Sequence, residues 1–171
     1  PSFNGVNRPM VDNIVVPTTW REIGIGFTGR FQEAAVKYQL YLMNGFSGYD
    51  GSKGLITGEK FLRDARQKGA KSIMTSPDLS ARIDYYGIRG LKLGLSGYFG
   101  KSESALYKNL DLSNSVNVKT ADSSIVGITM IGLDGRYNAG GFAIRGEYII
   151  SFVANTLEYN TFTGNNAGKQ V

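Results

Sequence analysis

Three pairs of segments in which apolar and polar residues alternate constrain the fold of this chain more than any other feature. The pairs span residues 20–46, 80–100 and 125–155, and each pair is interrupted by only two to four residues. Alternation with a period of two is typical of strands with one apolar and one polar face, and such short breaks are typical of hairpin turns. The sequence therefore predicts an all-β fold of about six antiparallel strands in three β-hairpins.

The segments between the hairpins are much longer than the turns within them. Residues 47–79 and 101–124 connect the hairpins, and residues 1–19 precede the first one. Connections in compact soluble domains have a median length of about 4–6 residues, whereas outer-membrane barrels alternate short periplasmic turns with long extracellular loops. We therefore expect residues 1–171 to be part of a transmembrane antiparallel β-barrel in the cell outer membrane, with both connections as long extracellular loops.

Outer-membrane lipid is the expected partner of the apolar faces. The mean hydropathy of −0.17 does not exclude a membrane barrel, because alternating apolar and polar positions average out. The alternating runs of about 10–14 residues match the length needed to cross a bilayer at a tilt. The chain starts at Pro1 without a signal segment, so we expect further residues beyond both ends. Aromatic residues lie near the predicted strand ends, where barrels carry rings at the headgroup level: Trp20, Phe31, Phe46, Tyr85, Phe99, Tyr137, Phe142 and Phe152.

The absence of two residue types restricts catalysis. The chain has no Cys and no His, which excludes disulfides, Ser-His and Cys-His nucleophiles, and His-based zinc sites. Residues Gly24–Gly29 match G-x-G-x-x-G, but they lie in a predicted strand that is followed by another strand rather than by a helix, so they do not indicate a dinucleotide site. We predict that the protein is not an enzyme and binds no cofactor or metal.

The charge of the chain is positive, at +5, but no run of five basic residues occurs, so nucleic acid is not an expected partner. If the apolar faces meet lipid, the opposite faces line the lumen, and an excess of cations there favours the passage of anions. The alternative is that Asp134, Arg136, Arg145 and Glu147 neutralise each other within one hairpin. The lumen carries Glu22, Asp84, Asp134 and Glu147 as acids, and the candidate selectivity residues are Arg30, Lys37, Arg82, Lys92, Arg136 and Arg145.

Residues 58–67 have a helix-forming composition and precede Gly69, which fits a C-terminal glycine cap. The sequence predicts a short helix here. Its narrow apolar side, with Phe61, Leu62 and Ala65, suits packing against a barrel wall or a neighbouring loop. The other interpretation is that this helix folds inward and narrows a pore.

Four segments resemble one family of porins: Phe3 to Pro9, Val16 to Gly24, Tyr38 to Phe46, and the hairpin from Ser80 to Gly100. Over most of its length the chain is similar to outer-membrane proteins of the phosphate-selective porin O and P type. Such proteins are similar to trimeric porins in which basic residues and inward-folded loops set the anion preference. The resemblance implies more strands than six, and a homotrimer or other outer-membrane proteins as partners.

Two functions are compatible with these expectations. The first is a porin-like channel for passive diffusion of small anionic solutes of the phosphate type. The alternative is a non-conducting barrel that acts as a structural or docking subunit of a larger outer-membrane complex. A third hypothesis, a soluble carbohydrate-binding sandwich, predicts that the apolar faces of the hairpins pack on one another.

Overall fold

The structure, a computed structural model, describes residues 20–67, 69 and 72–168. The predicted loop over residues 1–19 therefore lies outside the described residues. The elements in chain order are β1 (Gly24–Phe31), β2 (Val36–Met43), β3 (Ser47–Tyr49), β4 (Asp78–Tyr85), β5 (Leu91–Lys101), β6 (Glu103–Ser104), a 3-10 helix (Ala105–Tyr107), α1 (Ser115–Asp122), β7 (Gly127–Ala139), β8 (Phe142–Ala154) and α2 (Thr156–Thr163).

Six strands form one antiparallel sheet in the order β1-β2-β4-β5-β7-β8, which confirms the predicted antiparallel β architecture. The three hairpins are β1–β2, β4–β5 and β7–β8, and they lie side by side in this one sheet. The stacking of hairpins that a sandwich requires is therefore not seen in the described part of the chain. The sheet is open, with β1 and β8 at its edges, and β3 and β6 form a separate parallel pair.

The short turns all lie at one end of the sheet, which we call the turn end. The β7–β8 turn consists of Gly140 and Gly141, whose φ angles are +61° and +80°. Two successive positive φ angles define the turn that matches the twist of a two-residue hairpin, and glycine adopts them at no steric cost. The opposite, connection end carries the first connection (residues 44–77) and the second connection (residues 102–126).

The strands of the first hairpin are shorter than predicted. β1 and β2 have eight residues each, whereas β7 and β8 have 13. The difference arises at Asn44, whose side-chain oxygen accepts a hydrogen bond of 2.7 Å from the amide of Ile23. The side chain thus replaces a backbone partner of the ladder, and the chain leaves the sheet after Met43.

The register places one apolar face across all six strands. Phe27, Leu40, Ala81 and Gly97 occupy directly opposite positions on successive strands, and the row continues to Ile131 on β7. Large apolar side chains on this face are exposed: Ile25, Phe27, Phe31, Leu40, Leu42, Ile83, Tyr85, Leu93, Leu95, Phe99, Ile131, Leu133, Tyr137, Phe142, Ile144, Tyr148 and Phe152. A surface of this extent on a folded chain is typical of contact with lipid or with a partner protein.

The polar face carries the buried core at its connection end. There the first connection packs against residues of β5 and β7. The hydroxyl of Tyr159 in α2 donates to the carbonyl of Gly48 and accepts a hydrogen bond from the amide of Ile56, so α2 is bonded to the first connection. The buried apolar residues are Phe46, Ile56, Leu62, Ala65, Tyr98, Val126, Ile128, Met130, Tyr159 and Ala167. One of the predicted interfacial aromatics belongs here, since Phe46 is fully buried, and its assignment to the membrane interface was wrong. The ring of Trp20 lies 4.6 Å from that of Phe46 and is partly buried against this core.

The helix predicted over residues 58–67 is also wrong. Residues 58–65 form a series of turns, and Thr57 pairs with Phe61 in an isolated β-bridge. The φ angle of Phe61 is +46°, which no residue of a right-handed helix adopts. Burial of Leu62 and Ala65 in the core stabilises the irregular path in place of helical hydrogen bonds.

Candidate functional site

The turn end of the polar face carries a row of three cations. Lys92 on β5 lies directly opposite Arg136 on β7, which in turn lies directly opposite Arg145 on β8. Directly opposite side chains in an antiparallel sheet are about 5 Å apart at Cβ, and like charges at that separation repel each other. We call these three residues the cationic strip.

The cationic strip is open to solvent. All three side chains are exposed, and none of them forms an ion pair within the part of the chain that the structure describes. A groove of about 330 Å³ at this end is lined by Lys92 and Arg136 together with Tyr86 and Asn138. The strip therefore presents uncompensated positive charge beside hydrogen-bonding side chains, which favours the approach of anions.

A second pair of opposed cations lies on the first hairpin, where Arg30 of β1 faces Lys37 of β2. The ammonium group of Lys37 lies 5.5 Å from the ring centre of Tyr86, a cation–π contact that fixes its direction. Both cations are exposed, and neither forms an ion pair among the described residues.

Among the described residues, Arg82 is the one selectivity candidate whose charge is neutralised by ion pairs. It contacts Asp84 on its own strand at 2.7 Å and Asp134 on β7 at 2.8 Å, and together they form an ion triad with one excess negative charge. Arg82 reaches Asp134 across Gly94 of β5, where an added Cβ would lie only 2.3 Å from the guanidinium. The sheet thus positions the triad around the missing side chain of Gly94.

The alternative hypothesis, charge neutralisation within the third hairpin, is not what the described residues show. Asp134 lies directly opposite Glu147, and Arg136 lies directly opposite Arg145, so the register places like charges together. Asp134 bonds to Arg82 of a different hairpin instead. Sequence alone could not give this partner, because it depends on the register of β5 between β4 and β7.

Gly94→Ala is expected to destabilise the protein by about 1–3 kcal/mol, because its methyl group displaces Arg82 and leaves partly buried carboxylates unpaired. The matched control is Gly146→Ala on β8, where an added Cβ has no atom within 4 Å. The midpoint of urea unfolding of the two variants measures the difference. Equal midpoints would show that the triad does not depend on space at Gly94.

A second polar cluster lies at the connection end, where two carboxyl groups share one hydroxyl. The hydroxyl of Tyr98 donates to Asp78 at 2.5 Å and lies 3.5 Å from Glu22. Asp78 is fully buried and also accepts a hydrogen bond of 3.0 Å from the amide of Lys101. We call Glu22, Asp78 and Tyr98 the carboxyl cluster. Glu22, predicted as a lumen charge, is thus largely withdrawn from the wall.

Burial raises the pKa of Glu22 to about 7, and the indole N–H of Trp20, which donates to Glu22 at 2.8 Å, opposes this shift. The charge of Asp78 raises the pKa further. The alternating pattern placed Glu22 on the polar side of a strand, but in the structure Glu22 precedes β1 and is half-buried beside Trp20, Gly45 and Tyr98. This half-buried position was not visible in the sequence.

Glu103 of β6 binds the C-terminal end of the first connection. Its carboxylate accepts hydrogen bonds from the amides of Thr75 at 2.9 Å and Ser76 at 3.1 Å, and from the hydroxyl of Thr75. Glu103 is 1% exposed, so this contact ties residues 75–76 to the second connection. A buried carboxylate held by backbone amides is a structural contact.

Two features are not found in residues 20–67, 69 and 72–168: a membrane-spanning helix and a metal-binding group of side chains. No helix there has the length and hydropathy that a membrane-spanning helix needs. Within the same ranges, no three His, Cys, Asp or Glu side chains are grouped in a way that could hold a metal ion.

The fold and the cationic strip together describe a protein with one antiparallel sheet, of which one face is apolar and exposed and the other is charged. A curated protein of Aquifex aeolicus (strain VF5), described as uncharacterized, is 30% identical over 110 residues, which are 64% of this chain and 24% of that protein. The chain thus spans about a quarter of the length of the curated relative it matches. No family model and no solved structure matches the chain. The resemblance to phosphate-selective porins stays a prediction.

Proposed function

We propose that the six-stranded sheet is a section of the wall of a closed outer-membrane β-barrel, which lets small anionic solutes of the phosphate type diffuse passively across the membrane. The observation that carries this proposal is the division of the sheet into two faces. A continuous apolar face spans all six strands, and the opposite face carries solvent-exposed cations that form no ion pair among the described residues. Lipid on one side and water on the other is the environment that favours both.

The arrangement of the connections supports the same proposal. Short turns lie at one end of the sheet and both long connections lie at the other, which is typical of outer-membrane barrels. The edges of the open sheet, β1 and β8, pair with no further strand in the part of the chain that the structure describes, and additional strands would pair with them in a closed barrel. The matched relative is about four times as long as the matched segment, so a chain of its size would supply those strands.

The mechanism is electrostatic. A water-filled lumen lowers the barrier that the bilayer presents to an ion, and fixed cations on the wall raise the local concentration of anions. Lys92, Arg136 and Arg145 supply this charge at the turn end, while Arg82 contributes little because Asp84 and Asp134 neutralise it. Arg30 and Lys37 extend the positive surface toward β1.

A second candidate function is a non-conducting barrel that docks other outer-membrane proteins. The observation that favours it is the inward packing of the first connection, which buries Ile56 and Leu62 against the polar face and occupies part of the lumen side. The same packing narrows a conducting channel without closing it if the complete barrel is large. Conduction therefore separates the two functions.

The test is the reversal potential of the complete protein in a planar bilayer under a KCl gradient. We expect discrete conductance steps with chloride preference, and a shift toward potassium of about threefold or more in the permeability ratio of the variant Arg136→Glu/Arg145→Glu. The matched control is Lys108→Glu/Lys119→Glu, which makes the same change in net charge at exposed positions of the second connection. A folded protein without conductance, or equal shifts in both variants, would overturn the proposal.

A further inference from the structure

The carboxyl cluster joins three parts of the molecule. Glu22 belongs to the segment before β1, Asp78 begins β4, and Tyr98 lies in β5. Trp20 connects this cluster to the first connection, because its indole N–H donates to Glu22 and its ring stacks on Phe46 at 4.6 Å. The ring of Phe46 also lies 5.6 Å from that of Tyr98. A change in charge at Glu22 therefore acts directly on the residues that anchor the first connection.

Among the described residues, the groups that face Glu22 are acidic or neutral. They are the indole of Trp20 on its own segment, the backbone amide of Gly45 in the first connection, the carboxyl of Asp78 on β4 and the hydroxyl of Tyr98 on β5, and the hydroxyls of Tyr41 on β2 and Ser80 on β4 line the same pocket as Glu22. No Lys or Arg forms an ion pair with Glu22 or Asp78 among the residues described. The single proton of the Tyr98 hydroxyl is directed to Asp78 at 2.5 Å, so the hydrogen bond from this hydroxyl to Glu22, at 3.5 Å, is the weaker of the two and stabilises a charge on Glu22 less.

One oxygen of Glu22, Oε2, is buried and has no hydrogen-bond partner in the described structure. A neutral carboxyl leaves one polar atom unpaired there, which costs less than the uncompensated charge that a carboxylate leaves beside Asp78. The ionised form is therefore expected to move toward water, and Trp20 moves with it.

We propose that Glu22 is a pH-sensitive switch: its neutral carboxyl holds Trp20 and Phe46, and with them the first connection, against the polar face, and loss of the proton releases the connection. The consequence for solutes, a wider path along the polar face at higher pH, rests on the proposed channel. The movement of the connection does not depend on it.

The direction of the pH effect follows from the folded and unfolded states. Burial holds the pKa of Glu22 at about 7 in the folded protein, above its ordinary value of 4.5. The folded state therefore binds the proton more tightly, so the contact is fully present below about pH 4.5 and is lost as the pH rises through about 7. Between about pH 6 and pH 8 the ionised fraction of such a group rises about tenfold.

The test uses the absence of native cysteine. In the complete protein, Ala65→Cys places one thiol in the first connection, at a position that is 0% exposed in the folded state. The measured quantity is the maleimide labelling rate of the Ala65→Cys variant divided by that of the Ser113→Cys variant, whose thiol is exposed in the second connection. This division corrects for the ionisation of the thiol. We expect the ratio to rise by about tenfold between about pH 6 and pH 8, and to stay constant when Glu22→Gln is added. Leu62→Cys, also fully buried, repeats the measurement if Ala65→Cys does not fold.

Glu147→Gln is the matched control, since it removes an exposed carboxyl of the polar face and should leave the rise unchanged. A constant ratio in the parent, or the same rise with Glu22→Gln, would overturn the switch. Conductance measured over the same pH range separates the two proposals. A labelling rise without any conductance supports the switch and overturns the channel, whereas a conducting protein with constant labelling does the reverse.

Discussion

Phe46→Ala is expected to lower the free energy of unfolding by about 3–5 kcal/mol, the usual cost of truncating a fully buried aromatic side chain. The ring of Phe46 is 0% exposed and contacts two other rings, those of Trp20 and Tyr98. Its loss leaves a cavity between the first connection and β5 that rigid strands on one side cannot close. Urea unfolding with an unchanged dependence on denaturant measures the loss.

The control for this prediction is Phe142→Ala, the same chemical change at the edge strand β8. Phe142 is 60% exposed on the apolar face, so its truncation leaves no internal cavity and is expected to cost less than about 2 kcal/mol. Equal losses for the two variants would contradict the placement of Phe46 in the core. They would instead favour the interfacial position that the sequence pattern indicated for both rings.

The sheet was predictable because its periodicity is a local property. Alternation of the type seen at Leu91, Leu93 and Leu95 fixes which side chains share a face, and two glycines at 140–141 fix a tight turn. The same reasoning placed Lys92, Arg136 and Arg145 on one face, and the register then made them direct neighbours. Their adjacency needed the alignment of β5 with β7, which the turns do not determine because a long connection separates these strands.

The long connections were not predictable in the same way. Residues 58–67 have helix-forming composition, yet burial of Leu62 and Ala65 in the core at the connection end favours an irregular path through a positive φ at Phe61. Tertiary burial outweighs local propensity here, because each helical residue gains only some tenths of a kcal/mol from its propensity. The carboxyl cluster depends on the same packing, so the spacing of Glu22 and Asp78 in the sequence did not indicate that they lie close together.

Leu95→Arg is expected to destabilise the complete protein in phospholipid vesicles by about 2–4 kcal/mol, the cost of a cation on the lipid side of a barrel near the bilayer midplane. Leu95 lies on the apolar face between Ile83 and Leu133, and it is 47% exposed. If Leu95 faces water instead of lipid, Leu95→Arg should change the free energy of unfolding by no more than about 0.5 kcal/mol, as surface substitutions usually do. The size of the effect therefore reports what covers this face.

Thr28→Arg is the matched control for Leu95→Arg. Thr28 is an exposed side chain on the polar face of β1, at nearly the same height along the strands, and an arginine there enters water in the proposed lumen. We expect it to change the free energy of unfolding by less than about 1 kcal/mol. Urea unfolding of both variants in the same vesicles measures the difference. Near-equal small effects would mean that the apolar face does not meet lipid, and the barrel would have to be abandoned in favour of a partner protein on that face.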